Sequence, residues 1–128
     1  MQIKNSAISK WQEAIDFRSL DLVREVYSET AILMATFAKS EKIGINEIVP
    51  YFINLFKKDN LSVIFTSYET QTIEQIKGSP IEILSGTYIF SYSGLLNVTR
   101  YIPARYTFVT IKDKNEFKII NHHSSLRP

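Results

Sequence analysis

Two neighbouring runs of the sequence decide the fold: residues 81–92 are IEILSGTYIFSY and residues 98–112 are VTRYIPARYTFVTIK. Both runs are rich in β-branched and aromatic residues with a period of two, which predicts long strands. Strands of about 12 or more residues exceed the usual length and tend to curl. Gly86 and Pro103 are expected to mark irregular points, Gly86 a bulge or bend and Pro103 a bulge or sheet edge. Further strands are predicted at residues 61–77 and 116–124, and turns at 78–80, 93–94 and 113–115.

Helical spacing replaces this pattern at the start of the chain. Apolar residues such as Ile8, Trp11 and Ile15 predict a helix over residues 6–27, broken at 18–21 into two helices. Ser19 is the predicted N-cap of the second helix.

The segment between the helices and the long strands is predicted to contain a short buried strand, a loop and a third helix. The strand covers residues 31–35 and the loop residues 36–40. The third helix covers residues 47–57, with Asn46 as its cap and Pro50 in its first turn, where a missing N–H costs little. Helices followed by a meander of strands predict an α+β fold, with the helices packed on a strongly curved antiparallel sheet that encloses a pocket.

Composition narrows the class of protein. The chain has 128 residues, which suits one domain over residues 1–128. It has no cysteine, so disulfides, thiolate metal sites and cysteine nucleophiles are excluded. A net charge of +2 with no run of five or more like charges argues against a nucleic-acid partner. No apolar stretch approaches the ~20 residues that span a bilayer, and the first residues lack a signal-peptide core. We expect a cytoplasmic protein with no membrane partner.

The only two histidines are adjacent, in the run Asn121-His122-His123-Ser124-Ser125 at the end of the last predicted strand. Neighbouring side chains of a strand point to opposite faces, so the pair is poorly placed to grip one metal ion. Two interpretations remain. One histidine is buried and hydrogen-bonded for structural reasons, or the inward histidine acts as a base or proton shuttle.

Arg105 lies in the middle of a strand, within the apolar and aromatic run 104–109. Alternation places it on one face with Thr107 and Val109. An arginine on a buried face must be paired or bind an anion. The alternatives are a structural salt bridge or a place on an exposed face. Thr36, Tyr51 and Tyr88 are unremarkable when each is taken alone. Serine-nucleophile and phosphate-loop motifs are absent from the sequence.

Together these pieces resemble the nuclear-transport-factor-2-like superfamily, which has a cone-shaped, cystatin-like α+β fold with a central pocket. Within it, the pattern is similar to the association domain of calcium/calmodulin-dependent kinase II and to bacterial proteins that include the iota-class carbonic anhydrases. The matching pieces are Trp11 with Ala14, residues 23–27, residues 33–36, Tyr51 and Phe52 with Phe56, residues 86–90, residues 104–109, and residues 122–125 with Pro128.

The resemblance implies a site as well as a fold. Hydroxyl groups matching Thr36, Tyr51 and one serine of the pair Ser124-Ser125 hold bicarbonate in the iota class. A histidine of the pair His122-His123 belongs to the same site. Two further residues, Arg105 and Tyr88, are expected to line the pocket and bind the substrate.

Three functions stay open at this point. The first is a hydratase acting on carbon dioxide and bicarbonate, for which we expect no cofactor and no metal. The second is a module that binds a small molecule or anion without turnover. The third is an assembly domain. We expect a homodimer through the exposed sheet face under any of the three, because the long strands are apolar on both faces.

Overall fold

In the computed structural model, which describes residues 3–128, three α-helices pack on the concave side of one curved six-stranded sheet. The first two residues of the predicted domain lie outside the described residues. The helices are α1 (Ser6–Phe17), α2 (Leu20–Val26) and α3 (Ile45–Leu55). The strands are β1 (Tyr27–Met34), β2 (Lys42–Ile43), β3 (Asp59–Ile73), β4 (Ile81–Ser93), β5 (Thr99–Asp113) and β6 (Glu116–Leu126). The predicted α+β fold is confirmed.

The sheet order is β2-β1-β6-β5-β4-β3. Strands β3 to β6 form the predicted antiparallel meander. The pairing of β1 with β6 is parallel and was not predicted. The predicted helix end at Tyr27 was wrong by one residue. Tyr27 begins β1, so its side chain enters the sheet next to β6 instead of ending a helix.

The first two helices begin where polar side chains satisfy their free N–H groups. The Asn5 side chain accepts hydrogen bonds from the backbone of Ala7 and Ile8, which caps α1. The Asn5 amide also donates to Thr110 Oγ1 at 3.0 Å, which ties the start of α1 to the sheet. Ser19 accepts from the backbone N–H of Leu22 at 3.2 Å, so the predicted cap of α2 is confirmed.

The predicted start of α3 was wrong. The helix begins at Ile45 with Gly44 as its N-cap, and Asn46 lies inside it. Gly44 has a φ of 79°, which lets the chain turn sharply out of β2, and its N–H donates to Ala31 O at 2.7 Å. Pro50 therefore falls beyond the first turn. Its missing N–H is tolerated because Asn46, four residues earlier, is exposed, so water can bond to the carbonyl that Pro50 cannot pair.

The sheet curls where its register shifts. One shift lies in β3 between Phe65 and Ser67, directly across from the segment that contains Gly86. The irregularity expected at Gly86 is therefore in the partner strand. A Cβ added at Gly86 would lie 2.1 Å from the Ser67 carbonyl oxygen, so only glycine allows this close approach. No register shift occurs at Pro103, which pairs regularly with Ile89.

The core lies between the concave face of the sheet and the helices. Trp11 of α1 is at its centre, with its ring stacked on Tyr88 at 5.6 Å and edge-on to Phe108 at 5.2 Å. None of the helices within residues 3–128 is both long enough and apolar enough to cross a membrane.

Candidate functional site

Strand β6 separates the two histidines, as alternation predicts. His122 and Ser124 point to the concave face and are buried, with His122 only 2% exposed. His123 is exposed and Ser125 half-buried on the outer face. His122 is the inward residue because it pairs with Phe108, whose ring packs into the core and stacks on the imidazole at 3.8 Å.

Two tyrosines hold the His122 ring from opposite sides. Tyr27 OH lies 2.9 Å from Nδ1, and Tyr88 OH lies 3.2 Å from Nε2. Tyr27 also accepts a hydrogen bond from Trp11 Nε1 at 3.0 Å. Both ring nitrogens are thus engaged inside the core.

The hydroxyl groups continue from Tyr88 to the edge of the core. Tyr88 OH donates to Ser124 Oγ at 2.6 Å. Ser124 Oγ is in turn hydrogen-bonded to Thr36 Oγ1. Thr36 lies in the loop after β1, and the parallel pairing of β1 with β6 brings this loop alongside Ser124. Thr36, Tyr88, His122 and Ser124 therefore form one connected cluster.

These side chains line a small cavity. Its volume is about 10 Å³, which is room for about one water molecule. Tyr51 of α3 lines the same cavity and is half-buried. The remaining lining residues are apolar or aromatic: Trp11, Leu33, Ala35, Phe52, Leu55 and Phe90. The cavity is thus lined by both hydroxyl groups and hydrocarbon.

Burial keeps the titratable groups of the cavity neutral. Desolvation, with a smaller contribution from neighbouring His123, lowers the pKa of His122 from 6.5 to about 3. Desolvation raises the pKa of the Tyr27, Tyr51 and Tyr88 hydroxyls above 10. No lysine, arginine or carboxylate lines this cavity. Within residues 3–128, no three histidine or acidic side chains come together in a group that could hold a metal ion.

The structure places Arg105, His123 and Ser125 away from this cavity. All three line a shallow cleft on the outer face of the sheet, with Thr107 beside them. The expectation that Arg105 projects into the pocket was wrong. Its neighbour Tyr106 takes the inward position and donates to Ser67 O at 2.9 Å, so alternation turns Arg105 outward.

The sequence reasoning missed Trp11 and Tyr27 as members of the site. Both matched the family pattern, but only as part of helices. Their polar atoms could have indicated this, because a buried indole N–H or a buried phenol hydroxyl needs a hydrogen-bond partner. Predicting the link from Tyr27 to His122 requires the parallel pairing of β1 and β6, which leaves no local pattern.

The comparisons with known proteins agree with this architecture. The family model "calcium/calmodulin dependent protein kinase II association domain" matches residues 5–128. The comparison with curated proteins gave no match.

Several solved structures have a fold similar to that of this chain. A protein from Xanthomonas campestris, described as a candidate calcium/calmodulin dependent protein kinase II association domain, has a TM-score of 0.83 and 23% identity, over 94% of this chain and 83% of that one. An uncharacterized Caulobacter vibrioides protein with a cystatin-like fold has a TM-score of 0.77 and 14% identity, over 96% and 86%. A nuclear transport factor 2-like superfamily protein from Salmonella enterica has a TM-score of 0.77 and 13% identity, over 97% and 88%.

At these identities the similar structures show the fold alone, whereas the family model covers almost the whole chain. The chain therefore belongs to the calcium/calmodulin dependent protein kinase II association domain family and has the cystatin-like fold of the nuclear-transport-factor-2-like superfamily.

Proposed function

We propose that the cavity is the site of a hydratase that interconverts carbon dioxide and bicarbonate. One observation carries the proposal: Thr36 from a loop, Tyr51 from a helix and Ser124 from a strand line one cavity together with His122. These are the residues that the resemblance to the iota-class carbonic anhydrases implies.

The two kinds of lining group suit the two states of the substrate. Carbon dioxide is apolar and matches the hydrocarbon walls around Leu33 and Phe90. When water attacks, a C–O bond forms and one C=O electron pair moves onto oxygen. Hydroxyl donors placed at that oxygen stabilise the developing charge. Thr36 and Tyr51 supply these donors. The proton lost by the attacking water passes to bulk water or to a buffer base, because both nitrogens of His122 are already engaged.

The size of the cavity adds a requirement. A volume of about 10 Å³ accommodates the attacking water but not carbon dioxide beside it. The half-buried residues Thr36 and Tyr51 lie at the accessible side. Substrate entry therefore requires an outward movement of the Tyr51 ring or of the loop that bears Thr36.

Stopped-flow hydration of carbon dioxide with a pH indicator tests the proposal. The protein is first treated with chelator and then assayed with and without added zinc, manganese or cobalt. Thr36→Val removes the hydroxyl while keeping the branched shape, and a lost transition-state donor costs about a hundredfold in rate. Ser124→Ala should cause a similar loss. Ser125→Ala is the matched control, because it removes a serine hydroxyl one position along β6 on the outer face.

The proposal predicts hydration by the wild-type protein and by Ser125→Ala, and its loss in Thr36→Val. Wild-type protein that does not exceed the buffer rate under any condition would refute it. Equal rates in all variants would refute this cavity as the site.

A second proposed function is assembly of copies of this chain through the outer face of the sheet. That face exposes apolar side chains, with Ile64 61% and Tyr101 67% exposed. Ile89 and Pro103 continue the same row across β4 and β5. Burying such a patch favours association. We propose that the chain forms a homodimer. Light scattering would detect the mass of the dimer, and Ile64→Glu should dissociate it. A monomeric mass for the wild-type protein would contradict this assignment.

A further inference from the structure

A continuous series of buried hydrogen bonds runs from the centre of the core to the cavity. It starts at the indole of Trp11 and passes through Tyr27, His122, Tyr88 and Ser124. It ends at Thr36, which is half-buried. Each link joins two groups, so the direction of one hydrogen bond constrains the next.

The indole fixes the direction of the first half. An indole N–H can only donate, so the oxygen of Tyr27 must accept from Trp11. The Tyr27 hydrogen is then available to donate. Within residues 3–128, the only other partner recorded for this hydroxyl is Nδ1 of His122, at 2.9 Å. Nδ1 is therefore an acceptor and carries no hydrogen.

The second half follows from the neutral imidazole. A neutral ring with a bare Nδ1 carries its hydrogen on Nε2. Nε2–H donates to the oxygen of Tyr88, whose own hydrogen goes to Ser124 Oγ. Either oxygen of the Ser124–Thr36 pair can donate. Because Ser124 is buried and Thr36 is its only other partner within residues 3–128, we assign the Ser124 hydrogen to Thr36. The hydroxyl hydrogen of Thr36 is the one that the series leaves free.

The opposite direction fails at Tyr27. If Nδ1 carried the hydrogen, the Tyr27 oxygen would accept from both Trp11 and His122. Its own hydrogen would have no recorded partner among the described residues, at a side chain that is 2% exposed. Buried hydroxyls are rarely left without an acceptor.

We infer that the hydrogen bonds run in one direction, from Trp11 to Thr36, so that His122 is held as the Nε2–H tautomer and Thr36 presents an O–H donor to the cavity. The ligand class follows: a small hydrogen-bond acceptor, such as the oxygen of a carboxylate or of bicarbonate. An ammonium ion is disfavoured, because no carboxylate lines the cavity to pair with it. His122 is then a positioning residue that acts through Tyr88 and Ser124. The ligand class deepens the proposed function, whereas the tautomer does not depend on it.

Nitrogen-15 NMR of the histidine rings tests the direction in the intact protein. The tautomer is assigned from the ring nitrogen shifts and their couplings to the ring protons. His123→Gln identifies the signals of His122. We expect a bare Nδ1 and a protonated Nε2 at pH 5 to 8. A hydrogen on Nδ1, or an equal mixture of tautomers, would overturn the inference.

Removing the indole N–H at the start of the series tests whether this donor sets the direction of the hydrogen bonds. Trp11→Phe removes the indole N–H and leaves room for a water beside the Tyr27 hydroxyl. That water can accept the Tyr27 hydrogen, so the Tyr27 oxygen can accept from Nδ1–H and the second tautomer should become populated. Tyr106→Phe is the control, because it removes a buried hydroxyl that bonds to Ser67 O and takes no part in the series. A pure Nε2–H tautomer in folded Trp11→Phe would overturn the role of the indole. The wild-type spectrum decides the direction even if this variant does not fold.

Ligand titrations test the donor at the cavity. Formate is the acceptor probe and methylammonium the donor probe, and binding is followed by shifts of the His122 signals. We expect saturable shifts with formate but not with methylammonium, and weaker formate binding in Thr36→Val than in Ser125→Ala. Binding of methylammonium, or no response to formate, would overturn the ligand class. Formate binding without carbon dioxide hydration would refute the proposed catalysis and leave this inference standing.

Discussion

Protonation of His122 should destabilise this protein in mild acid. The imidazole is enclosed by Trp11, Tyr27, Tyr88 and Phe108, none of which carries a charge near neutral pH. Burial therefore lowers the pKa of His122 from 6.5 to about 3. The unfolded chain takes up a proton as the pH falls below 6.5, whereas the folded chain stays unprotonated at this site until about pH 3. Acid therefore favours the unfolded state.

The size of the effect follows from proton linkage. Between pH 6.5 and pH 3, each unit by which the pH falls lowers the free energy of unfolding by about 1.4 kcal/mol through this one group. At pH 5 the loss is about 2 kcal/mol relative to pH 7. Above pH 7 the contribution of His122 is complete and should not change further.

Urea unfolding at pH 7 and pH 5, followed by the fluorescence of the buried Trp11, measures this loss. Carboxylates also titrate in acid, so the comparison is made with a variant. His122→Gln keeps a donor and an acceptor but does not titrate. The wild-type protein should lose about 2 kcal/mol more than His122→Gln between the two pH values. His123→Gln removes the exposed histidine and should behave as the wild type does.

Equal pH dependence in the wild type and in His122→Gln would refute the reasoning, because it would mean that His122 binds protons equally in the folded and unfolded states. If His123→Gln changed the pH dependence of the free energy of unfolding more than His122→Gln did, the assignment of His122 as the buried member of the pair would be refuted.

Three further predictions concern the stability of the fold and Arg105, which lies outside the cavity. Gly86→Ala should lower the free energy of unfolding by about 1–3 kcal/mol in urea, because the new Cβ meets the Ser67 backbone at 2.1 Å; an unchanged midpoint would contradict this. Ser19→Ala should cost about 1 kcal/mol in the same assay by removing the acceptor of the Leu22 N–H, and no loss would show that the cap is dispensable. Arg105→Ala should leave any hydration activity unchanged, and a tenfold loss would return Arg105 to the site.

Local patterns were sufficient for most of the elements. The change from helical spacing to a period of two predicted the order of helices and strands, and Ser19 marked the start of α2. The start of α3 was missed because Gly44 caps it through backbone conformation alone, which outweighed the better capping side chain of Asn46. The strand predicted at residues 61–77 ran past its true end at Ile73, because the next turn signal in the sequence is only at residues 78–80.

The site depended more on contacts between distant parts of the chain. Alternation correctly separated His122 from His123 and grouped Arg105 with Thr107. It could not say which group faces the helices. That choice is made by the aromatic side chains of β5, since Phe108 packs on the concave side and sets the orientation of its partner His122. The link from Tyr27 to His122 requires the parallel pairing of β1 with β6, which joins residues far apart in the sequence.

The hydration rate of carbon dioxide in matched variants tests the central claim most directly. The measurement compares wild-type protein, Thr36→Val and Ser125→Ala by stopped flow at one pH and one protein concentration. The account predicts hydration above the buffer rate in the wild type, an equal rate in Ser125→Ala, and a rate about a hundredfold lower in Thr36→Val. A wild-type rate no higher than buffer, or a Thr36→Val rate equal to that of the wild type, would contradict it.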